Sequence, residues 1–247
     1  MQTQVTKTVR EIALESPSAP AVLESLGIDY CCGGHLPFEE ACKKSGKSPE
    51  DVIARLDQAV RENAARNDNS TSWNSAPLVE LIAHINKTHH VFVRNESTRL
   101  LALADKVATK HGPNHPELKR VHAVFSALAQ ELSVHLMKEE QILFPYIERL
   151  EETAVQHEAA PPSCCFGTVE NPIRMMMFEH DSAGDALREL RSVTNDYAVP
   201  ADGCMSYSAL FEGLAAFEKD LHQHIHLENN ILFPRVVELA HSKGNSD

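Results

Sequence analysis

Apolar residues recur along this chain at steps of three and four, so the pattern predicts helices throughout and no strand. Val9, Ile12, Ala13 and Leu14, then Ala21, Val22, Leu23 and Leu26, form two short helical runs, and Gly27 breaks the second. A turn carrying Cys31-Cys32-Gly33-Gly34 follows. Ser48-Pro49-Glu50-Asp51 supplies a cap, a proline at the first helical position and acids in the first turn, opening a helix that carries Val52, Ile53 and Leu56. Polar, Asn- and Ser-rich residues then read as a linker, and four long helical patterns occupy about 77–109, 116–150, 172–197 and 206–241. The expected architecture is all-α: a small helical domain over 1–62, a linker over 63–75 and an up-down four-helix bundle over 76–247. The 151–171 connection, with Pro161-Pro162, is long for a bundle loop.

One stripe in the second long helix runs Leu118, Val121, Phe125, Leu128, Leu132, His135, Glu139, Ile142, Tyr146. In the fourth helix it returns as Tyr207, Leu210, Leu214, Phe217, Leu221, His224, Glu228, Ile231, Arg235. The text repeats too, because Ile142-Leu143-Phe144-Pro145 follows the first His/Glu pair and Ile231-Leu232-Phe233-Pro234 follows the second. His and Glu four apart share a helix face, and this face is otherwise Leu, Phe and Ile, which points it inward. Two buried carboxylates would each cost several kcal/mol if uncompensated, and neither stripe carries Lys or Arg in its middle. Divalent cations would neutralise them, and carboxylate plus imidazole inside a four-helix bundle is a setting for paired iron or manganese.

The other two helices each offer a histidine near their start. His84 lies in a stripe with Leu81 and Val91, and His180 in one with Ile173, Met177, Gly184 and Leu187. Four histidines and two glutamates would leave coordination positions open, as small-ligand chemistry requires. His89, His90, His111, His115, His122, His157, His222, His226 and His241 are expected at the surface or in support, His222 and His226 facing away from the donors. Glu179 and Asp181 flank His180, either to orient it or to solvate the helix.

Composition narrows the function. With 23 Lys+Arg against 35 Asp+Glu the net charge is -12, and no basic stripe stands out, so a nucleic-acid partner is not expected. No stretch approaches the roughly 18 apolar residues of a membrane span, and the opening residues lack a signal-peptide core, which gives a cytoplasmic expectation. Six cysteines, four of them in the adjacent pairs Cys31-Cys32 and Cys164-Cys165, are too sparse for a disulfide framework and are expected reduced. Cys31 and Cys32, beside two glycines on what reads as an exposed turn, are candidate redox or transfer thiols that could bind metal or react with NO.

Leu26-Gly27-Ile28-Asp29-Tyr30-Cys31-Cys32-Gly33-Gly34, with Glu40-Ala41-Cys42, resembles the cysteine-pair domain of the RIC (repair of iron centres) di-iron proteins of the ScdA/YtfE type, and the bundle resembles their hemerythrin-like domain. The resemblance implies that His84, His135, Glu139, His180, His224 and Glu228 hold two non-haem iron ions (Fe2+/Fe3+) bridged by the two carboxylates. It also implies that the protein repairs iron-sulfur clusters damaged by nitrosative or oxidative stress, with damaged iron-sulfur proteins as clients. Cys164-Cys165 in the long connection departs from that pattern. Three readings follow: an iron-supplying repair factor, an enzyme that reduces NO or peroxide, and a binder or sensor of O2 or NO. Whether the protein turns over a substrate, and whether it forms a homodimer, the sequence leaves open.

Overall fold

Thr8 opens the first helix with a capping box: its hydroxyl accepts the Glu11 N–H at 3.2 Å, and the Glu11 carboxylate accepts the Thr8 N–H at 2.7 Å. The computed structural model describes residues 7–66, 73–156 and 166–244. These are helical almost throughout, in two compact units, one of Met1–Leu81 with His222–Glu238 and one of Ile82–Leu221 with Leu239–Asp247.

In the first unit, α1 (Val9–Leu14), α2 (Ala19–Ser25), α3 (Phe38–Lys44) and α4 (Pro49–Arg66) close over Val9, Ile12, Leu23, Ile28, Phe38, Cys42 and Val52. Gly27 ends α2 at φ +67°, a left-handed conformation that side chains rarely adopt. Residues 222–238 belong to this unit through specific bonds. Asn230 Nδ2 donates to the Tyr30 carbonyl at 2.8 Å, Arg10 Nε to the Asn230 carbonyl at 3.2 Å, and the Arg235 guanidinium to the carbonyls of Trp73 and Ala76 at 2.9 and 2.6 Å. His222, expected at the surface, meets the Glu24 carboxylate at 3.0 Å.

His226, also expected at the surface, is buried against the Tyr30 ring and receives the Asn230 amide on Nδ1 at 2.9 Å. Burial pushes its imidazole down from an ordinary 6.5 to about 4, which a hydrogen bond with the Tyr30 backbone only partly offsets. Folded His226 therefore binds fewer protons than unfolded His226. Its contribution to stability is complete above pH 6.5 and is lost as pH falls from 6.5 towards 4, by roughly 3 kcal/mol in all. Urea unfolding of chelator-treated protein at pH 7 and pH 4.5 should show this loss, and His226→Gln should flatten it; an unchanged pH slope in the variant would refute the assignment.

After residue 78 the long helices form a bundle. α5 (Leu78–Ile85) and α6 (Val91–His111) are joined by a wide π turn at Asn86–His90. α7 (Glu117–Lys138) and α8 (Phe144–Val155) are joined by another at Glu139–Leu143, and α10 (Met205–His226) and α11 (Phe233–Gly244) by a third at Leu227–Leu232. α9 (Glu170–Val193) is uninterrupted. Within the second unit α7 packs on α6 and α9, and Phe217 of α10 meets Phe92 and Phe125.

The π turns were not visible in the periodicity, and two of them precede Pro145 and Pro234. Proline cannot donate to the carbonyl one turn back and its ring crowds that carbonyl, so widening the turn before it relieves both problems. The extra residue slips the buried face. Ile142, expected in the core stripe, is 45% exposed and Leu143 is buried instead. In α9 the buried position is Met176 rather than Met177, giving Ile173, Met176, His180, Ala183 and Leu187.

Candidate metal centre

Three donors meet inside the bundle unit: atoms of His135, Glu139 and His180 all lie within 4.8 Å of one another. His135 closes α7, Glu139 opens the π turn after it, and His180 sits mid-way along α9, all three buried. His135 Nε2 stands 3.1 Å from His180 Nε2 and 3.4 Å from Glu139 Oε2. His90, from the π turn between α5 and α6, brings its Nε2 to 3.4 Å from the same carboxylate oxygen.

The far side of two rings fixes their protonation. His135 Nδ1 lies 2.9 Å from Glu179 Oε2 and His90 Nδ1 2.8 Å from Glu140 Oε1. A carboxylate only accepts, so each Nδ1 carries the proton and each Nε2 turns a lone pair inward. The hydrogen bond from His135, with Lys138 in support, holds Glu179 down at about 2 despite burial. Burial alone would raise Glu140, but Arg94 and His90 outweigh it and bring it below the usual range. Both carboxylates stay charged at neutral pH. Two imidazole lone pairs facing a buried carboxylate repel one another unless a cation lies among them, so this donor set fits a divalent metal.

In the other unit, His224 Nε2 and Glu228 Oε1 are 3.0 Å apart on successive turns, both buried. This is the second His/Glu pair of the repeat, with the geometry its four-residue spacing predicts.

Among the described residues His84 is not one of the donors gathered around Glu139. The buried face of α5 is Leu78, Leu81, Ile82 and Ile85, which leaves His84 half-buried at its edge. There its Nδ1 faces the Thr88 hydroxyl at 3.4 Å and its ring lies edge-on to His89. The π turn carries His89 and His90 inward instead, and Val91 outward. His89 pairs with Asp220 at 3.1 Å, so both histidines expected at the surface are buried. Glu179 supports His135 rather than its neighbour His180. Glu140, adjacent to a glutamate already singled out, had no signal of its own.

A cavity of about 550 Å³ between α7 and α9 reaches this group, lined by Leu128, Leu132, Phe178 and Ala183 beside His135 and His180. Its mostly apolar wall suits a small uncharged ligand.

The cysteine turn is less open than its glycines suggested. Cys31 is buried and Cys32 half-buried, their sulfurs 3.8 Å apart, and Asp29 Oδ1 accepts the N–H groups of Cys32 and Gly33 at 3.0 and 2.9 Å. A Cβ on Gly34 would stand 2.8 Å from Asn230 Oδ1, so that position admits only glycine without a shift. The Cys31 thiol is raised well above its ordinary value by the Cys32 contact and by burial, so it is held as a neutral thiol. Iodoacetamide at neutral pH is therefore expected to modify Cys32 well before Cys31, as peptide mass spectrometry would show; equal labelling would contradict the buried placement. Cys164 and Cys165 lie outside the described residues.

Fold and site define a hemerythrin-type cation-binding bundle. Residues 81–236 match the hemerythrin HHE cation binding domain family, and residues 5–60 match ScdA_N, a domain of unknown function (DUF542). The chain is 37% identical over 227 residues to a probable iron-sulfur cluster repair protein of Haemophilus influenzae, covering 92% of this chain and 95% of the relative. It is 34% identical to the iron-sulfur cluster repair protein YtfE of Musicola paradisiaca, over 94% and 96% of the two chains, and to that of Citrobacter koseri, over 92% and 94%. The chain belongs to the iron-sulfur cluster repair protein YtfE family. No helix among its described residues is long and apolar enough to cross a membrane.

Proposed function

We propose that this protein repairs iron-sulfur clusters damaged by nitrosative or oxidative stress in the cytoplasm, supplying iron from a carboxylate-bridged di-iron centre. Its donors are His90, His135, Glu139, His180, His224 and Glu228, with His90 in the place expected for His84. The observation that carries the reading is the buried convergence of His90, His135 and His180 on Glu139. The repeated His/Glu motif adds His224 and Glu228. Bound there, iron would supply both a releasable store and open positions for a small ligand. Glu179 and Glu140 keep the two imidazoles oriented with lone pairs inward, and the apolar helix faces exclude water. Cys31 and Cys32 belong to the same unit as His224 and Glu228, where Asn229 and Asn230 donate to the carbonyls of Cys31 and Tyr30 at 3.4 and 2.8 Å. This supports a role for the thiols in transfer.

Damaged iron-sulfur proteins are the clients in this reading. Iron-loaded protein is expected to reactivate a nitric-oxide-damaged cluster enzyme faster than the same amount of free iron. Cys31→Ala with Cys32→Ala should keep the metal and lose most of that gain; no gain for the wild type would refute the proposal. The cavity at His135 and His180 favours one second reading, reduction of NO or peroxide at the same centre. Turnover with an electron donor, abolished by His180→Ala, would establish it.

A further inference from the structure

The turn after α6 and the turn before α10 bring together four donor side chains that the di-iron reading does not use. His111 Nε2 lies 3.2 Å from Cys204 Sγ, and His115 Nε2 lies 3.0 and 3.2 Å from the two carboxylate oxygens of Asp202, with His115 Nδ1 3.0 Å from Glu117. The two rings are 6.3 Å apart between centroids and both stand edge-on to the buried Tyr207 ring, at 5.4 and 5.6 Å. Asp202 is exposed and the other three donors are half-buried, so an ion could enter from solvent.

We propose that His111, His115, Asp202 and Cys204 form a second metal site, for one zinc-type divalent cation. Two imidazoles, a thiolate and a carboxylate are a borderline-soft, four-donor set of the kind tetrahedral zinc takes. With bonds of roughly 2.0–2.3 Å, neighbouring ligands of such an ion stand about 3.3–3.6 Å apart. The His111–Cys204 and His115–Asp202 pairs are already within a few tenths of an ångström of that. Closing the two pairs on one ion asks for movement of turn backbone, at 112–114 and 201–204, rather than of the helices. The thiol is prepared for it. The backbone N–H of Tyr207 and the His111 ring hold Cys204 down at about 7, so a large share is thiolate at neutral pH. The donor set also differs from that of the bundle interior, where carboxylates and imidazoles occur without sulfur.

Cobalt(II) titration of the iron-loaded, full-length protein tests this, because thiolate bound to cobalt gives a charge-transfer absorption that carboxylate and imidazole ligands do not. The wild type is expected to take up one further equivalent with that band. Cys204→Ser should abolish the part of the band belonging to this equivalent, with iron content and helical circular dichroism unchanged. His115→Gln keeps the thiol at the start of α10 and should weaken cobalt binding at least about tenfold. Titrations identical in wild type and Cys204→Ser, affinity unchanged in His115→Gln, or no cobalt taken up beyond the iron would each overturn the assignment.

Discussion

Glu139→Ala is expected to purify with little or no iron and to lose the thermal stabilisation that iron gives the wild type. Glu139 is fully buried, and His90 and His135 both direct nitrogen lone pairs at its Oε2. Deleting the carboxylate removes the bridge between the proposed ions and the charge that balances them. The effect on the metal-free fold runs the other way: a buried carboxylate without a cation is a burden, so its removal leaves the stripped protein no less stable. The signature is therefore a difference. Saturating iron should raise the Tm of the wild type, since a ligand present at about 100 times its Kd contributes about 2.7 kcal/mol, and should leave the Tm of Glu139→Ala where it was. Glu228→Ala, the second pair of the repeat, should behave alike. A variant that keeps two irons per chain would refute the bridging role.

His90→Ala and His84→Ala are expected to part company. Loss of a supporting partner typically lowers metal affinity roughly 10–100-fold, and loss of a direct ligand should exceed that. His90→Ala should thus fall below the wild type by more than about 100-fold, while Glu140→Gln, which removes only the support at His90 Nδ1, should stay inside that range. His84→Ala trims a half-buried ring at the edge of α5 and should leave iron content unchanged. Iron retained after dialysis against a graded chelator series ranks the three. Normal retention in His90→Ala with loss in His84→Ala would reverse the assignment.

The comparison of those two histidines shows where the sequence stops being readable. Spacing alone found His135/Glu139 and His224/Glu228, because a four-residue step in a helix places both side chains on one face whatever surrounds them. It also found His180, in an α-helix without interruption. His84 lies just before a π turn, and the extra residue in that turn hands the inward position to His90 and the outward one to Val91. The same slip exchanges Ile142 for Leu143. Pro145 and Pro234 announced a disturbance in their helices without saying how it would be absorbed, and Asn86–His90 has no proline to announce it. Burial of Cys31 was equally hidden. Gly33 and Gly34 read as an open turn, yet they are small because Asp29 and Asn230 press against them.

Support from outside the stripe was legible only as composition. The many histidines suggested metal, but which carboxylate holds which ring depends on contacts between helices: Glu179 of α9 reaches His135 of α7, and Glu140 reaches His90. Neither pairing follows from neighbours in sequence.

The most direct test of the central claim is the metal content of full-length protein purified without oxygen, measured per chain together with its Mössbauer spectrum. Close to two irons, magnetically coupled in the oxidised form, is the result this account predicts. A single zinc, or no metal in a folded protein that also fails to take up iron, would contradict it and leave the buried histidines and glutamates as a polar network.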